Sequence, residues 1–325
     1  MLQYLVILLD DTSTSYCHYT NCKQERHLIS LDDLKSGILF GMKENLMIQF
    51  VYPDYEIPQS YKDVIETIDH SKIMPKTGEN ADITVFNGWC EMVNFPFDVK
   101  NVYVLRINKS DLFAQRGFIK TILGKVARLN VVVTDVENFI DADWDAYKDC
   151  LEEWSDELKR LYAVGTSPQF NLITDRVFLD KMNNCDAGDT SITLAPDGYL
   201  YICPAFYLDG SPDGREKSLA EVSSKGYRIG SLTEGLNIKN PQLYKLSHAP
   251  LCRICDSFHC KRCVWLNRRI TSEVNTPSRQ QCIMSHIERN ASRKLLDILR
   301  NDIPSLYGKE IKELSYLDPF EIVNK

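Results

Sequence analysis

The chain has 325 residues, enough for one large or two ordinary domains with a sizeable apolar core. Its net charge of −7 argues against a nucleic-acid-binding surface, which needs a basic face, and no run of 18 apolar residues is present to predict a membrane span. The apolar N-terminal stretch lacks a basic segment and a cleavage site, so it is interpreted as a buried first strand and the protein as cytoplasmic. Eleven cysteines in such a chain indicate metal binding or catalysis rather than disulfides.

The first 165 residues alternate between apolar runs and amphipathic stretches. Five runs rich in Val, Ile or Leu predict strands covered on both faces, at residues 3–9, 46–52, 82–86, 101–107 and 130–134. Helical patterns follow Ser30, Pro58 and Ser110, with both serines as predicted N-caps, and a longer one starts near Asp143. This alternation predicts parallel β/α units, and the pattern does not choose between an incomplete barrel and an open sheet.

After residue 165 turn residues become dense and the cysteines concentrate. We predict a β/α domain over residues 1–165, a cysteine-rich domain over 166–290, and a C-terminal helix and tail over 291–325. The segment from Cys185 to Cys203 alternates apolar residues on either side of Pro196-Asp197-Gly198, which predicts a β-hairpin that brings its two end cysteines together.

A second block of cysteines has two close C-x-x-C pairs. It contains Cys252, Cys255, Cys260 and Cys263, and Cys282 follows it. Seven thiolates exceed what one tetrahedral ion or one [4Fe–4S] cluster uses, so two sites are implied. Zinc is the main alternative, although zinc ribbons usually separate their pairs by about 15–20 residues rather than four. Disulfides and separate buried cysteines are the remaining interpretations.

The order of these cysteines resembles the SPASM domain of radical SAM peptide-modifying enzymes. The first half matches its C-x(9–15)-G-x4-C pattern, while two spacings in the second half are each one residue short. Gly230-Ser231-Leu232 stands where that domain has a Gly-Asn-aliphatic strand. The resemblance implies two [4Fe–4S] clusters. It assigns to the first cluster Cys185, Cys203 and Cys263. It assigns to the second cluster Cys252, Cys255, Cys260 and Cys282. The first cluster then lacks a fourth cysteine, and we expect a non-cysteine ligand or an open iron there.

The N-terminal half lacks the radical SAM motif. Such enzymes need C-x3-C-x2-C after the first strand to bind the cluster that cleaves S-adenosylmethionine, and this chain has only Cys17 and Cys22 there. The resemblance therefore implies a degenerate or partial radical-SAM-like (β/α) barrel, followed by a small SPASM-like iron–sulfur domain. A metal site formed by Cys17, His18 and Cys22 is an alternative, and His248 and His259 are candidate extra ligands.

Three stretches indicate a more specific family within this resemblance, namely residues 5–19, 260–267 and 274–293. They are similar to the CXXX repeat peptide maturases, which are encoded beside small peptides with a cysteine at every fourth position. This implies an iron–sulfur protein that helps to mature a cysteine-repeat precursor peptide, with a separate modification protein as a further partner. The alternatives are a non-catalytic peptide-binding scaffold and a zinc-stabilised interaction protein. A basic stretch either steers an acidic leader peptide or is a solvated face; it contains Lys261, Arg262, Arg268 and Arg269.

Overall fold

A mixed sheet runs through the computed structural model, which describes residues 2–209, 226–301, 303 and 306–311. In these residues the sheet has eleven strands in the order β11-β10-β9-β8-β1-β2-β3-β4-β5-β6-β7. The strands are β1 (Tyr4–Leu8), β2 (Met47–Val51), β3 (His70–Pro75), β4 (Ile83–Phe86), β5 (Val102–Ile107), β6 (Arg128–Val133), β7 (Gln169–Phe170), β8 (Ser191–Leu194), β9 (Tyr199–Tyr201), β10 (Arg228–Ser231) and β11 (Gly235–Leu236).

The sheet is parallel from β7 through β1 to β8, and antiparallel from β8 to β11. β7 and β11 form its two ends, so the sheet of the described residues is open. The predicted parallel β/α pattern is confirmed, and the five predicted strands are β1, β2, β4, β5 and β6. The sequence pattern missed β3, because its residues are mostly half-buried and polar and it ends at Pro75.

Nine α-helices in the described part of the chain cover the sheet. They are α1 (Leu31–Lys43), α2 (Gln59–Ile65), α3 (Lys109–Ala114), α4 (Arg116–Leu123), α5 (Asp143–Ala163), α6 (Thr174–Phe178), α7 (Ala205–Leu208), α8 (Val264–Thr271) and α9 (Arg279–Leu299). None of the described helices is long and apolar enough to cross a membrane.

The caps of two predicted helices differ in outcome. Ser30 caps α1 as predicted, because its Oγ accepts a hydrogen bond from the Asp33 backbone N–H over 3.0 Å. The prediction for Ser110 was wrong. Asn108 comes directly after β5 and its side chain caps α3 by accepting from the Asp111 N–H over 2.8 Å, so Ser110 lies inside the first turn.

Two apolar clusters hold the helices on the sheet. One packs β1, β2, β8 and β9 against α1 and α8, and the other packs β5 and β6 against α4, α5 and α9. Close approach of α1 requires Gly37, since a Cβ there would lie 2.5 Å from the Leu194 Cδ2 atom of β8. The first cluster therefore joins the first strand of the chain to the hairpin of the cysteine-rich part.

The predicted β-hairpin is confirmed as β8 and β9. Its turn contains Pro196-Asp197-Gly198, and Gly198 has φ +78°, a conformation that favours glycine. β8 pairs with β1 in parallel, so that Tyr4 lies opposite Ser191. The predicted Gly230 strand is β10, which pairs with β9. The hairpin thus extends the parallel sheet and carries its flanking cysteines to the side of β1.

Candidate metal centres

Three half-buried cysteines lie together where the hairpin meets α8. Cys185 precedes β8, and its backbone N–H donates to the Lys261 carbonyl over 2.7 Å. Cys203 follows β9, and Cys263 is the N-cap residue of α8. Burial raises the pKa of Cys203, and the charges of Cys185 and Cys263 raise it further, which places the three thiols near one another. The structure thus brings together the three cysteines that the resemblance assigns to the first cluster.

A fourth half-buried thiol, that of Cys17, packs against the same apolar cluster as these three. Burial, followed by the charge of Cys185, raises the pKa of Cys17 to about 12. The charge of Cys17 in turn raises the pKa values of Cys203 and Cys263, in addition to the effect of burial. The expectation of a non-cysteine ligand or an open iron did not include Cys17, because this residue is far away in the sequence. We refer to Cys17, Cys185, Cys203 and Cys263 as the first thiol group.

Residues 10–22, called here the β1 loop, cross the carboxyl ends of the parallel strands. The Ser13 hydroxyl donates to the Val51 carbonyl at the end of β2 over 3.0 Å, and His18 Nδ1 lies 2.9 Å from the Val133 carbonyl at the end of β6. Within this loop only the Nδ1 atom of His18 contacts the Val133 carbonyl and Cys22 is exposed, so the alternative metal site there stays a prediction. The loop closes over the edge of the sheet where α/β proteins usually bind their ligands.

Arg106, a buried cation on β5, fixes the β1 loop. Its Nε donates to the Cys17 carbonyl over 2.8 Å, and its other nitrogens donate to the Tyr19 carbonyl and to the Asn87 side chain. Asn87 also donates to the Thr14 hydroxyl over 3.3 Å. Arg106 was not predicted from the sequence, although an arginine within the apolar strand VYVLRI was a visible signal, since a buried cation needs partners.

The second block of cysteines forms a separate site. Its first three cysteines, Cys252, Cys255 and Cys260, are half-buried. Two backbone turns connect them. The Cys255 N–H donates to the Cys252 carbonyl over 3.2 Å, and the Cys260 N–H donates to the Ser257 carbonyl over 2.9 Å. Burial raises the pKa of Cys252 to about 12, with the charge of Cys260 contributing. These three thiols therefore lie near one another, as the resemblance implies for the second cluster.

The first turns of α9 border these thiols. His286 Nε2 lies 3.6 Å from the Cys255 sulfur, and Cys282, also half-buried, stands four residues earlier on the same face of α9. Burial alone would raise the pKa of Cys255, but the hydrogen bonds from His286 and Ser257 lower it overall. We refer to Cys252, Cys255, Cys260 and Cys282 as the second thiol group. His286 was not predicted from the sequence, even though its spacing of four from Cys282 places both on one helix face.

The two histidines named as candidate extra ligands have other partners. His259 is buried, and its Nε2 lies 2.9 Å from a carboxylate oxygen of Glu288. The other oxygen of Glu288 accepts from the Tyr147 hydroxyl over 2.5 Å, so this network connects α5 to α9. His248 Nδ1 lies 3.1 Å from the Ser247 hydroxyl on the exposed surface. The Nδ1 atom of His259 is buried and has no hydrogen-bond partner among the described residues, so its role as an extra ligand stays a prediction.

Several buried donors beside the two thiol groups have no hydrogen-bond partner among the described residues. They are Tyr19 Oη, Ser257 Oγ, Arg262 Nη1 and Trp265 Nε1, and His259 Nδ1, beside Cys260, is a fifth buried polar atom without a partner there. Each belongs to a residue within two positions of a thiol-group cysteine. Burial raises the pKa values of Cys185 and Cys252, and the charge of Arg262, which is 1% exposed, opposes this rise. Buried donors usually have partners. The inorganic sulfides of iron–sulfur clusters accept such hydrogen bonds, so the surroundings fit this kind of group.

The spacing of the ligands also bears on the choice of metal. No three Cys, His, Asp or Glu side chains in the described ranges are arranged to hold a single metal ion. Zinc binds each thiolate at about 2.3 Å, so its ligands crowd around one point. A [4Fe–4S] cluster binds each cysteine at a different iron and needs a wider opening. The choice between a cluster and zinc for the thiol groups stays a prediction.

The basic stretch around the second block does not form one surface. Arg262 is buried and its Nε donates to the Asn184 side chain over 2.8 Å. Arg269 lies 3.3 Å from Glu137 in an ion pair. Arg262 therefore cannot steer a leader peptide, because its charge does not face solvent.

Comparisons with known proteins support the fold. No protein-family model matches the chain, and no curated protein matches it. Among solved structures, the chain is similar to a hexahistidine-tagged form of the radical SAM/SPASM maturating enzyme anSMEcpe with bound AdoMet. The TM-score is 0.57 and the sequence identity is 12%, and the similarity covers 94% of this chain and 97% of that chain. It is also similar to native anSMEcpe with bound AdoMet and the Cp18Cys peptide, with a TM-score of 0.56, 11% identity, and coverage of 93% and 100%.

These similarities extend over nearly the whole length of both chains. The protein therefore has a mixed α/β fold with a largely parallel sheet that matches the radical SAM enzyme fold. At this level of identity the match concerns the fold alone.

Proposed function

We propose that this chain is a cytoplasmic iron–sulfur protein that takes part in maturing a ribosomally synthesised cysteine-repeat peptide, as its resemblance to the CXXX repeat peptide maturases implies. One observation carries the proposal. Two groups of half-buried thiols are present on a fold similar to that of a solved structure that contains AdoMet and a peptide. The similarity to a peptide-bound structure supports a peptide as the partner of this chain.

The proposed ligands follow the two thiol groups. We assign to the first [4Fe–4S] cluster Cys185, Cys203 and Cys263. We assign to the second [4Fe–4S] cluster Cys252, Cys255, Cys260 and Cys282. When bound, such clusters supply electron transfer or, at an iron without a protein ligand, a binding site for a substrate thiolate. The buried donors of Tyr19 and Trp265 would orient and stabilise the first group, and Ser257 would do the same for the second.

The β1 loop supports a protein that does not cleave AdoMet by itself. Two cysteines replace the three of the radical SAM motif, and of these Cys22 is exposed. Hydrogen bonds from Arg106 to two carbonyls of the loop fill the edge of the sheet at which such a cofactor would bind. In this proposal, a separate modification protein supplies any radical chemistry.

A scaffold that presents the peptide to such a partner is the second candidate function. The closed β1 loop favours it, since an enzyme needs an accessible reaction site and this loop covers the usual one. In that case the metal groups, whether iron–sulfur clusters or zinc, hold the cysteine-rich part together, because metal-binding free energy is also folding free energy.

Incubation of the full chain with reductant, AdoMet and a cysteine-repeat peptide tests the proposal. We expect the peptide to bind, and we expect no 5′-deoxyadenosine. An unchanged peptide mass in this mixture favours the scaffold, and a changed mass favours the enzyme. Release of 5′-deoxyadenosine, or no binding of the peptide, would contradict the proposal.

The ligand assignment has its own test. Cys203→Ala should remove the first cluster and Cys255→Ala the second, so that each variant loses about half of the iron of the wild type. Cys90→Ala is the matched control, because this thiol is exposed and belongs to neither group. Loss of all iron in both variants would refute the division into two independent sites.

A further inference from the structure

The position of Cys17 extends the proposed function, on which the following inference rests. We propose that the Cys17 thiolate is the fourth protein ligand of the first cluster, so that no iron of this cluster is open to a substrate. The sequence resemblance provides only three cysteines for this cluster, and the structure places a fourth thiol beside them. The β1 loop would then be bound to the cysteine-rich part through the cluster.

The backbone contacts of the β1 loop position Cys17. Arg106 on β5 holds the Cys17 carbonyl over 2.8 Å. Five residues later the Cys22 N–H donates to the Leu208 carbonyl of α7 over 3.0 Å, and α7 begins two residues after Cys203. The loop is thereby fixed both to the centre of the parallel sheet and to the helix that follows a proposed cluster ligand.

A ring contact fixes the same loop to α8. Tyr19, which is 2% exposed, lies edge-on to Trp265 with ring centroids 6.4 Å apart, and Trp265 comes two residues after Cys263. Tyr16 packs edge-on against Tyr19 at 6.1 Å. Cys17 lies between these two tyrosines in the sequence, so the two ring contacts restrict its position.

The Cys17 side chain packs into the same apolar cluster as the other three thiols. Cys17, Cys185, Cys203 and Cys263 are all half-buried residues against the first core cluster. Four cysteine thiolates are the usual donor set of a [4Fe–4S] cluster.

This assignment changes the role of the first cluster. With four cysteine ligands, the cluster has no free iron for the thiolate of a cysteine-repeat peptide. Electron transfer and stabilisation of the β1 loop remain as its functions.

The full chain, prepared anaerobically, allows a direct test with Cys17→Ala and Cys17→Ser, with Cys22→Ala as the control from the same loop. We measure iron and sulfide content and record electron paramagnetic resonance spectra of the reduced proteins with and without 2-mercaptoethanol. We expect both Cys17 variants to contain less than about eight iron per chain, or to have one signal that the added thiol alters, while the second cluster is unchanged. Cys22→Ala should match the wild type.

Wild-type iron content and a spectrum insensitive to the thiol in both Cys17 variants would overturn the proposal. If neither variant folds, the alkylation rates of cysteines in the wild-type protein test the proposal instead. Cys17 should react at least tenfold faster after a chelator has removed the iron, whereas Cys22 should react at a similar rate before and after this treatment. Equal Cys17 rates would refute its role as a ligand. A wild-type protein without iron would instead refute the proposed function, so the two failures are distinguishable.

Discussion

Removal of the Arg106 guanidinium should release the β1 loop from the sheet. In Arg106→Met the side chain keeps much of its length but loses three hydrogen bonds, to the Cys17 carbonyl, the Tyr19 carbonyl and the Asn87 side chain. Hydrogen bonds from a charged donor contribute about 1.5–3 kcal/mol each, and a buried carbonyl without a donor costs about 1–3 kcal/mol.

The net loss is smaller than the sum of these contributions. Arg106 is 8% exposed, and burial lowers its pKa, so the folded protein already carries a cost for keeping this cation out of water. Methionine removes that cost, and water can reach the half-buried loop. We therefore expect about 3 kcal/mol of lost local stability, which corresponds to roughly a 100-fold increase in opening of the loop.

Hydrogen exchange measures this opening directly. Protection of the Thr14 and Cys22 amides, which donate to the Tyr52 and Leu208 carbonyls, should fall by about 100-fold, while amides of α5 keep theirs. Arg160→Met is the matched control: its side chain is 62% exposed and pairs only with Glu157 on the same helix. Unchanged protection of the loop in Arg106→Met would refute the conclusion that this arginine holds it.

Three further substitutions test other parts of the structure. Burial raises the pKa of Asp209 to about 6, so Asp209→Asn should stabilise the fold by about 2 kcal/mol above pH 6 and by nothing below pH 4. Urea unfolding at pH 4 and pH 7.5 measures this difference, and an equal increase in stability at both pH values would contradict it. Tyr147→Phe should cost about 2 kcal/mol in thermal unfolding, since it leaves one oxygen of the buried Glu288 carboxylate without its donor; no loss would show that this bond does not stabilise α9. Gly230→Ala should prevent pairing of β10 with β11, because the Cβ of the alanine would lie 2.0 Å from the Gly235 carbonyl oxygen. The melting temperature of the variant should therefore fall, and an unchanged value would contradict this prediction.

The parallel sheet was readable from the sequence because its strands are buried on both faces. The apolar runs of β1 and β5 have no polar alternation, and only strands covered by helices tolerate that composition. The hairpin was equally readable, since Gly198 marks a turn that needs positive φ. In contrast, β3 and the two-residue β7 have too little apolar sequence to stand out, and the position of their neighbours determines their pairing.

The composition of the thiol groups was only partly readable. Short spacing brings Cys252 and Cys255 together through one turn, and the hairpin does the same for Cys185 and Cys203, so local sequence suffices for these pairs. The path of the β1 loop brings Cys17 to the first group, and that path depends on a buried arginine almost 90 residues away on another strand. Contacts of this kind depend on tertiary structure and leave no local pattern.

The division of the protein into domains stays a prediction. The hairpin and β7, both after residue 165, belong to the same sheet as the first strands. The helix α9 runs from Arg279 to Leu299 and packs against α5, so contacts cross between the two halves of the chain. These contacts explain how residues of the first half can approach the cysteine-rich part.

Metal analysis of the wild-type chain tests the central claim most directly. Protein purified without oxygen should be brown and contain about eight iron and about eight sulfide per chain, the content of two [4Fe–4S] clusters, with no bound zinc. A colourless protein with stoichiometric zinc and no sulfide would contradict the assignment of both thiol groups to iron–sulfur clusters.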